Sequence, residues 1–208
     1  MTRLRLLAFV FTLLTVVPPL CAQVYNIEFE SNGESIAVIE LSIGSDEATA
    51  KVGDVTERFD LKNQRWQDTE SKQWVSISQC ESWAQRSKEK SSNSTASIPE
   101  EIRPFVRWSL VPTFKVESAD TTLSLTSGQV DYKIIGKTTD SDLTGFFRYA
   151  RLNAYKKAMT EKKLPPFAEL KVLEELERRK MFPKSMEIRI PGVPGAPTIN
   201  LVYNEKHK

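Results

Sequence analysis

The segment YNIEFESNGESIAVIELSI, residues 25–43, decides the fold. Tyr25, Ile27 and Phe29 alternate with Asn26, Glu28 and Glu30, the two-residue period of a strand with one apolar face. Asn32-Gly33 supplies the turn residues that two-residue hairpin loops favour. The return strand runs from Ser35 to Ile43, with Ala37, Ile39, Leu41 and Ile43 on one face. Ile36 and Val38 begin a second apolar face, so part of this strand is expected to be covered on both sides.

The same pattern continues downstream. Ala48, Ala50 and Val52 alternate with Thr49 and Lys51, between turns at Gly44-Ser45-Asp46 and Gly53-Asp54. Thr56 to Leu61 is a further strand, and Gln64–Asp68 and Gln73–Ile77 read as the next hairpin. Turns recur about every ten residues, the spacing of an antiparallel meander and not of parallel strands with helical crossovers. Strands return at Thr113–Glu117, Thr121–Thr126 and Gln129–Ile135. They return again at Ser185–Ile190 and Thr198–Tyr203, on either side of the proline-rich loop Pro191–Pro197. The last of these, beside that loop, is expected to be an edge strand able to accept a partner strand.

Helical spacing breaks in twice. Cys80, Trp83, Ala84 and Ser87 mark a helix near residues 78–90, with Ser78 and Glu81 placed as a capping box. Ser97 to Val106 is expected to hold a short helix interrupted by Pro104. The second helical region covers residues 142–181. Asp140, Ser141 and Asp142 offer N-caps, and Leu143, Phe147, Ala150, Ala154 and Ala158 form a stripe with Phe146 beside it. Pro165-Pro166 divides the region, and Phe167, Leu170, Leu173 and Leu176 face one side of the second helix, which Pro183 closes. No internal repeat or long linker divides the chain after residue 22, so residues 23–208 read as one domain.

The first 22 residues read as a secretory signal. Arg3 and Arg5 precede the apolar run Leu6–Val17, and Pro18-Pro19 leads to Leu20-Cys21-Ala22. The run is short for a bilayer span, so no stable transmembrane segment is expected after cleavage at Ala22. The alternative is an acyl anchor on Cys21, but Pro19 and Leu20 are poor neighbours for lipidation. The protein is therefore expected in the periplasm or outside the cell. The whole chain has 208 residues, 29 Lys and Arg against 27 Asp and Glu, and a formal charge of +2. Arg3 and Arg5 account for that surplus, so the exported chain is neutral overall. A neutral chain lacks the signature of a general nucleic-acid binder. Asn93-Ser94-Thr95 matches a glycosylation acceptor, which matters only in a eukaryotic secretory pathway.

Catalytic chemistry has no positive signal. His207 is the one histidine, so a His-based triad or metal site is excluded, and no nucleophile motif or phosphate loop is present. Asp140 and Asp142 suit a helix cap better than a calcium loop, whose spacing stops after two residues. Asp60, Asp68, Asp131 and Glu117 lie on strands or hairpin loops, where solvated polar residues are expected. Cys80 reads as a small buried hydrophobe. No cofactor, metal or enzymatic activity is expected. Arg148, Arg151, Lys156, Lys157, Lys162 and Lys163 make the first helix of residues 142–181 cationic. A solvated outer face accounts for them better than contact with anionic lipid or an acidic partner.

Aromatic residues are the more pointed set. Trp66, Trp74, Trp83 and Trp108 lie mid-chain, and Trp66 and Trp74 would face each other across their hairpin in one register. With the amphipathic helices, they give Trp66, Trp74, Trp83, Phe146, Phe147 and Leu170 as candidate residues for holding an apolar ligand.

An exported meander with a helix between its strand blocks, and helices before its last strands, resembles the periplasmic lipoprotein-carrier superfamily. The segment Phe59–Ile77, with Trp66, Asp68 and Trp74 on paired strands, is the closest local likeness. This chain departs from the carriers by opening on a strand at Tyr25 and not on a helix. The resemblance implies an α+β fold: a curved antiparallel sheet of about ten strands, an unclosed barrel, with two or three helices packed on its concave face over an apolar cavity. The expected function is binding of an apolar ligand, a lipid or lipoprotein acyl chain. The alternative is a structural or adaptor domain that binds an envelope protein through its surface or edge strand.

Overall fold

The computed structural model describes residues 22–31, 34–93, 98–193 and 195–206. Residues 1–21 of the signal expected over residues 1–22, including Cys21, lie outside the described residues. So do the turn Asn32-Gly33, Ser94 and Thr95 of the glycosylation pattern, and His207.

Among the described residues eleven strands form one open antiparallel sheet with two edges. The first six are β1 (Gln23–Ser31), β2 (Glu34–Ile43), β3 (Glu47–Val52), β4 (Val55–Asp60), β5 (Arg65–Gln67) and β6 (Trp74–Ser76). The others are β7 (Lys115–Ala119), β8 (Thr122–Thr126), β9 (Asp131–Thr138), β10 (Met181–Arg189) and β11 (Ile199–Glu205). Their spatial order is β6-β5-β4-β3-β2-β1-β11-β10-β9-β8-β7. The strand expected at the edge, Thr198–Tyr203, is therefore interior. All but Thr198 of it falls in β11, which pairs with β1 through Ile27 and Tyr203 and with β10 through Met186 and Leu201. Both sides of its backbone are occupied, so it offers no partner a free ladder.

Alternation is visible in burial. Tyr25 and Ile27 of β1, Ile39, Leu41 and Ile43 of β2, Ala48 and Ala50 of β3, and Tyr132 and Ile134 of β9 are buried in one core. The second apolar face expected on β2 is not covered: Ile36 is 62% and Val38 49% exposed. A β-bulge explains Ile36. Phe29 pairs with Ala37 and Glu30 with Ser35, which leaves Ile36 as the extra residue. Across the β5–β6 hairpin Trp66 pairs with Val75, and Trp74 with Gln67. The two tryptophans are thus one register step apart and do not face each other, since a one-residue step reverses the side. Trp66 is buried, whereas Trp74 is exposed and carries the Arg65 guanidinium 4.8 Å over its ring.

Four α-helices occur among the described residues: α1 (Ile77–Asn93), α2 (Arg103–Leu110), α3 (Thr144–Thr160) and α4 (Phe167–Arg178). The capping box of α1 uses Ser76 and Gln79 and not Ser78 and Glu81. The Gln79 N–H donates to Ser76 Oγ at 3.3 Å, and the Ser76 N–H donates to Gln79 Oε1 at 2.8 Å. Pro104 does not interrupt its helix. It sits in the first turn of α2, where its missing N–H leaves no bond unmade. Asp142 Oδ1 accepts the Thr144 N–H at 2.9 Å at the start of α3. α3 buries Tyr149, Leu152 and Tyr155 as well as the expected Phe147, Ala154 and Ala158. It touches α1 and α4 and also β2, β3 and β5, so it has little free outer face.

Two elements follow from topology. Since β6 and β7 are opposite edges, the segment carrying α1 and α2 must cross the width of the sheet. α4 ends at Arg178, and the chain reverses at Lys180, whose φ is 49°, before Pro183 is reached. Pro183 lies inside β10, buried opposite Gly136, at a bulge where a proline without an N–H is tolerated.

Gly136 is held by this crowding. A Cβ there would lie 2.5 Å from the Phe182 carbonyl oxygen and 2.8 Å from Met181 Cγ. The carbonyl belongs to the paired strand and cannot move alone. Gly136→Ala is therefore expected to destabilise the protein by about 2 kcal/mol, as overpacked sites do. A urea midpoint equal to that of the wild type would show that β9 and β10 separate at little cost.

Candidate functional site

The central strands and two helices line an open cavity of about 350 Å³. Its apolar wall is Ile27 and Ile39 from β1 and β2, Met186 and Leu201 from β10 and β11, and Val172 and Leu173 from α4. The α3 side is Phe146, Ala150, Asn153, Ala154, Lys157 and, beyond the helix end, Glu161. These positions recur at three- and four-residue steps, one continuous stripe of the helix. Phe29, Tyr132, Tyr149 and Tyr203 add rings. The Phe146 ring lies 4.9 Å from Phe182 and 6.2 Å from Tyr203, and Phe59 meets Tyr149 edge-on at 4.9 Å. Ile36, Ile188 and Ile199 also line it, with Lys163 and Glu169, and Ile36 is open to solvent.

Polar groups converge on the same space. Burial pushes the Tyr132 and Tyr203 phenols far above the ordinary tyrosine range, and the nearby Glu169 carboxylate acts in the same direction. Burial raises Tyr149 likewise, with Glu57 and Tyr203 adding to it. All three stay neutral donors at physiological pH, and none of their hydroxyls has a hydrogen-bond partner among the described residues. Lys157 is pulled below the ordinary lysine range, chiefly by burial, while Glu169 opposes the shift. The Glu169 carboxyl is raised, again by burial first, with Lys157 and Lys163 opposing. Glu169 is nevertheless reached by solvent. It stands inside an open cavity with protein around it, which reconciles access with poor hydration.

No family model, curated protein or solved structure matches the chain.

The structure gathers the sequence candidates only in part. Phe146 lines the cavity. Phe147 is buried next to it, its ring 5.4 Å away, and borders a separate recess beside Asp142 and Glu177. Leu170 packs partly buried against the core from α4, but does not line the cavity. Trp66 is buried near α1, its indole N–H 3.5 Å from Cys80 Sγ, and burial raises the Cys80 thiol. Trp83 packs partly buried on the core, and Trp74 stays on the surface. The tryptophans thus form no common surface. Tyr132, Tyr149 and Tyr203, which do, come from three separate elements, and no local sequence signal joins them.

The cationic reading of α3 also changes. Lys156 is only 7% exposed and pairs with Glu57 of β4, with its ammonium 5.9 Å from the Phe59 ring centre. Lys157 faces the cavity and lies 4.8 Å from the Phe29 ring centre. Arg151 bridges to Glu177 of α4. A solvated outer face therefore does not describe Lys156 or Lys157.

The candidate carboxylates have local partners. Asp60 accepts from Asn63 and Arg65, which hold its carboxyl below the usual range. Asp68 accepts the Ser71 N–H at 2.6 Å and is likewise lowered. Asp131 accepts the N–H groups of Ser127 and Gly128, and Glu117 pairs with Lys115. Each closes a turn or caps a surface pair. Asp142 does the same for α3, and no cluster of three metal-ligating side chains occurs among the described residues.

Proposed function

We propose that this is an exported, non-catalytic protein that binds an apolar ligand, a lipid or lipoprotein acyl chain, between its sheet and its helices. The observation that carries the reading is the cavity of about 350 Å³, walled by aliphatic and aromatic side chains from five strands and two helices. That size falls within the range of small-ligand pockets, roughly 300–1,000 Å³. In this reading the sheet is an unclosed barrel, and α3 and α4 lie in its concave face, as the likeness to the periplasmic lipoprotein carriers implies. The open edges at β6 and β7 and the mixed core of strand and helix residues support it. Export rests on the charge, apolar run and small-residue order of residues 1–22.

The adaptor reading has lost its favoured strand, since β11 is interior. The free edges are the three-residue β6 and the fully exposed β7, where Lys115 pairs with Glu117. Charged side chains on an edge discourage strand addition.

Native mass spectrometry of protein purified from its own envelope tests the proposal. A co-purifying lipid, lost on organic extraction and regained on mixing, is expected. A single unliganded mass, together with failure to bind added fatty acid, would refute the reading.

A further inference from the structure

The charges around the cavity are not alike in their partners. At the rim Glu161 pairs with Lys163. Lys156 has Glu57, and Arg151 has Glu177. Lys157 and Glu169 differ. Among the described residues neither has an ion-pair partner, although each feels the other's field. Lys157 lies one helical turn inward from the rim residue Glu161, over the Phe29 ring. Among the described residues the site thus presents one unpaired cation and one unpaired anion, beside the residues Tyr132, Tyr149 and Tyr203, whose hydroxyls have no hydrogen-bond partner there. Lys157 is half-buried and Glu169 lines the same open cavity, so each gains from a counter-charge that a bound head would place beside it.

We infer that the cavity selects an amphiphile with a zwitterionic head, its cationic end beside Glu169, its anionic end beside Lys157, and its tail along Ile27, Ile39, Val172 and Leu201. This rests on the ligand-binding reading above and narrows it. An anionic head would satisfy Lys157 but meet Glu169 and Glu161. A cationic head would satisfy Glu169 but meet Lys157 and Lys163. An uncharged head would leave both charges without a partner. Only opposed charges on one head answer both residues, and free tyrosine hydroxyls can donate to its phosphate or carboxylate oxygens.

Calorimetric titration with four single-chain amphiphiles of equal tail length, each below its micelle concentration, tests the inference. The probes are dodecylphosphocholine, dodecyl phosphate, dodecyltrimethylammonium and dodecyl glycerol. The zwitterion is expected to bind about tenfold more tightly than each of the other three, the gain from one added charge-assisted contact. Glu169→Gln should erase its advantage over dodecyl phosphate, and Lys157→Met its advantage over dodecyltrimethylammonium. Equal affinities for the four probes, or a ranking untouched by both substitutions, would overturn the inference while leaving amphiphile binding intact. Binding of none of the four by the wild type would overturn the ligand-binding reading itself. If either variant fails to show a cooperative melt, the wild-type ranking still decides.

Discussion

Lys156→Met is expected to destabilise the protein by about 3 kcal/mol, the lower end of the range for removing one partner of a buried ion pair. Lys156 projects from α3 and is 7% exposed, and its partner Glu57 lies on β4 with its side chain 19% exposed. Methionine can occupy the lysine stem's place, so packing loss is small. What remains is the Glu57 carboxylate at the junction of sheet and helix, with no cation and little water. Glu57→Leu added to Lys156→Met removes that charge as well. The double variant is expected to recover to within about 1 kcal/mol of the wild type, because apolar replacement of a whole buried pair is often neutral. Guanidinium unfolding of the four proteins completes the cycle. Since the pair is poorly accessible, the coupling should survive half-molar salt, unlike that of a surface pair. A neutral single variant would mean that Glu57 finds solvent by rotating outward, and that the pair does not tie α3 to the sheet.

How much of this was legible in the sequence depends on the distance over which each decision is made. Strand positions in residues 25–61 could be read because one face is buried, and burial imposes a period of two on neighbouring residues. Pairing order could not. β11 carries an ordinary strand pattern, and nothing in Ile199–Glu205 says that β1, far off in the chain, lies beside it. The capping box fell two residues early because Ser76-x-x-Gln79 and Ser78-x-x-Glu81 satisfy the same rule. The choice was made by where β6 stops pairing with β5. Pro183 read as a helix stop because proline breaks helices. The chain in fact turns at Lys180, and a bulge takes up the proline.

The site was less legible than the fold for a related reason. Tryptophans are conspicuous, yet Trp66, Trp74 and Trp83 serve a hairpin, a surface and a helix contact. The cavity rings are tyrosines and phenylalanines spaced through β1, β9, α3 and β11, and only the strand order brings them together. Lys157 was hidden by its neighbours. In a run of cations, charge alone assigns every lysine to water. The helix turns about 100° per residue, however, and Lys156 and Lys157 point into different surroundings, one toward β4 and one into the cavity.

Ala150→Trp is expected to lower amphiphile affinity by about a hundredfold or more, roughly 2.8 kcal/mol, the largest functional effect of any single substitution. Ala150 lies midway along the cavity stripe of α3, between Phe146 and Ala154, and its small side chain leaves the space open. An indole there would project toward Ile27, Ile39 and Leu201, the wall that a tail would use. The cavity is empty of protein, so the ring fills space without displacing packed side chains. Stability should hold or rise, by about 1 kcal/mol at most, as cavity-filling substitutions commonly allow. That combination separates blockage from unfolding: a variant that binds less because it is damaged would also melt earlier. Ile135→Trp supplies the control, since Ile135 is 44% exposed and does not line the cavity. It should leave affinity unchanged. Affinity retained in Ala150→Trp but lost in Ile135→Trp would move the ligand site to the opposite face of the sheet, where Val38 and Ile135 stand open to solvent.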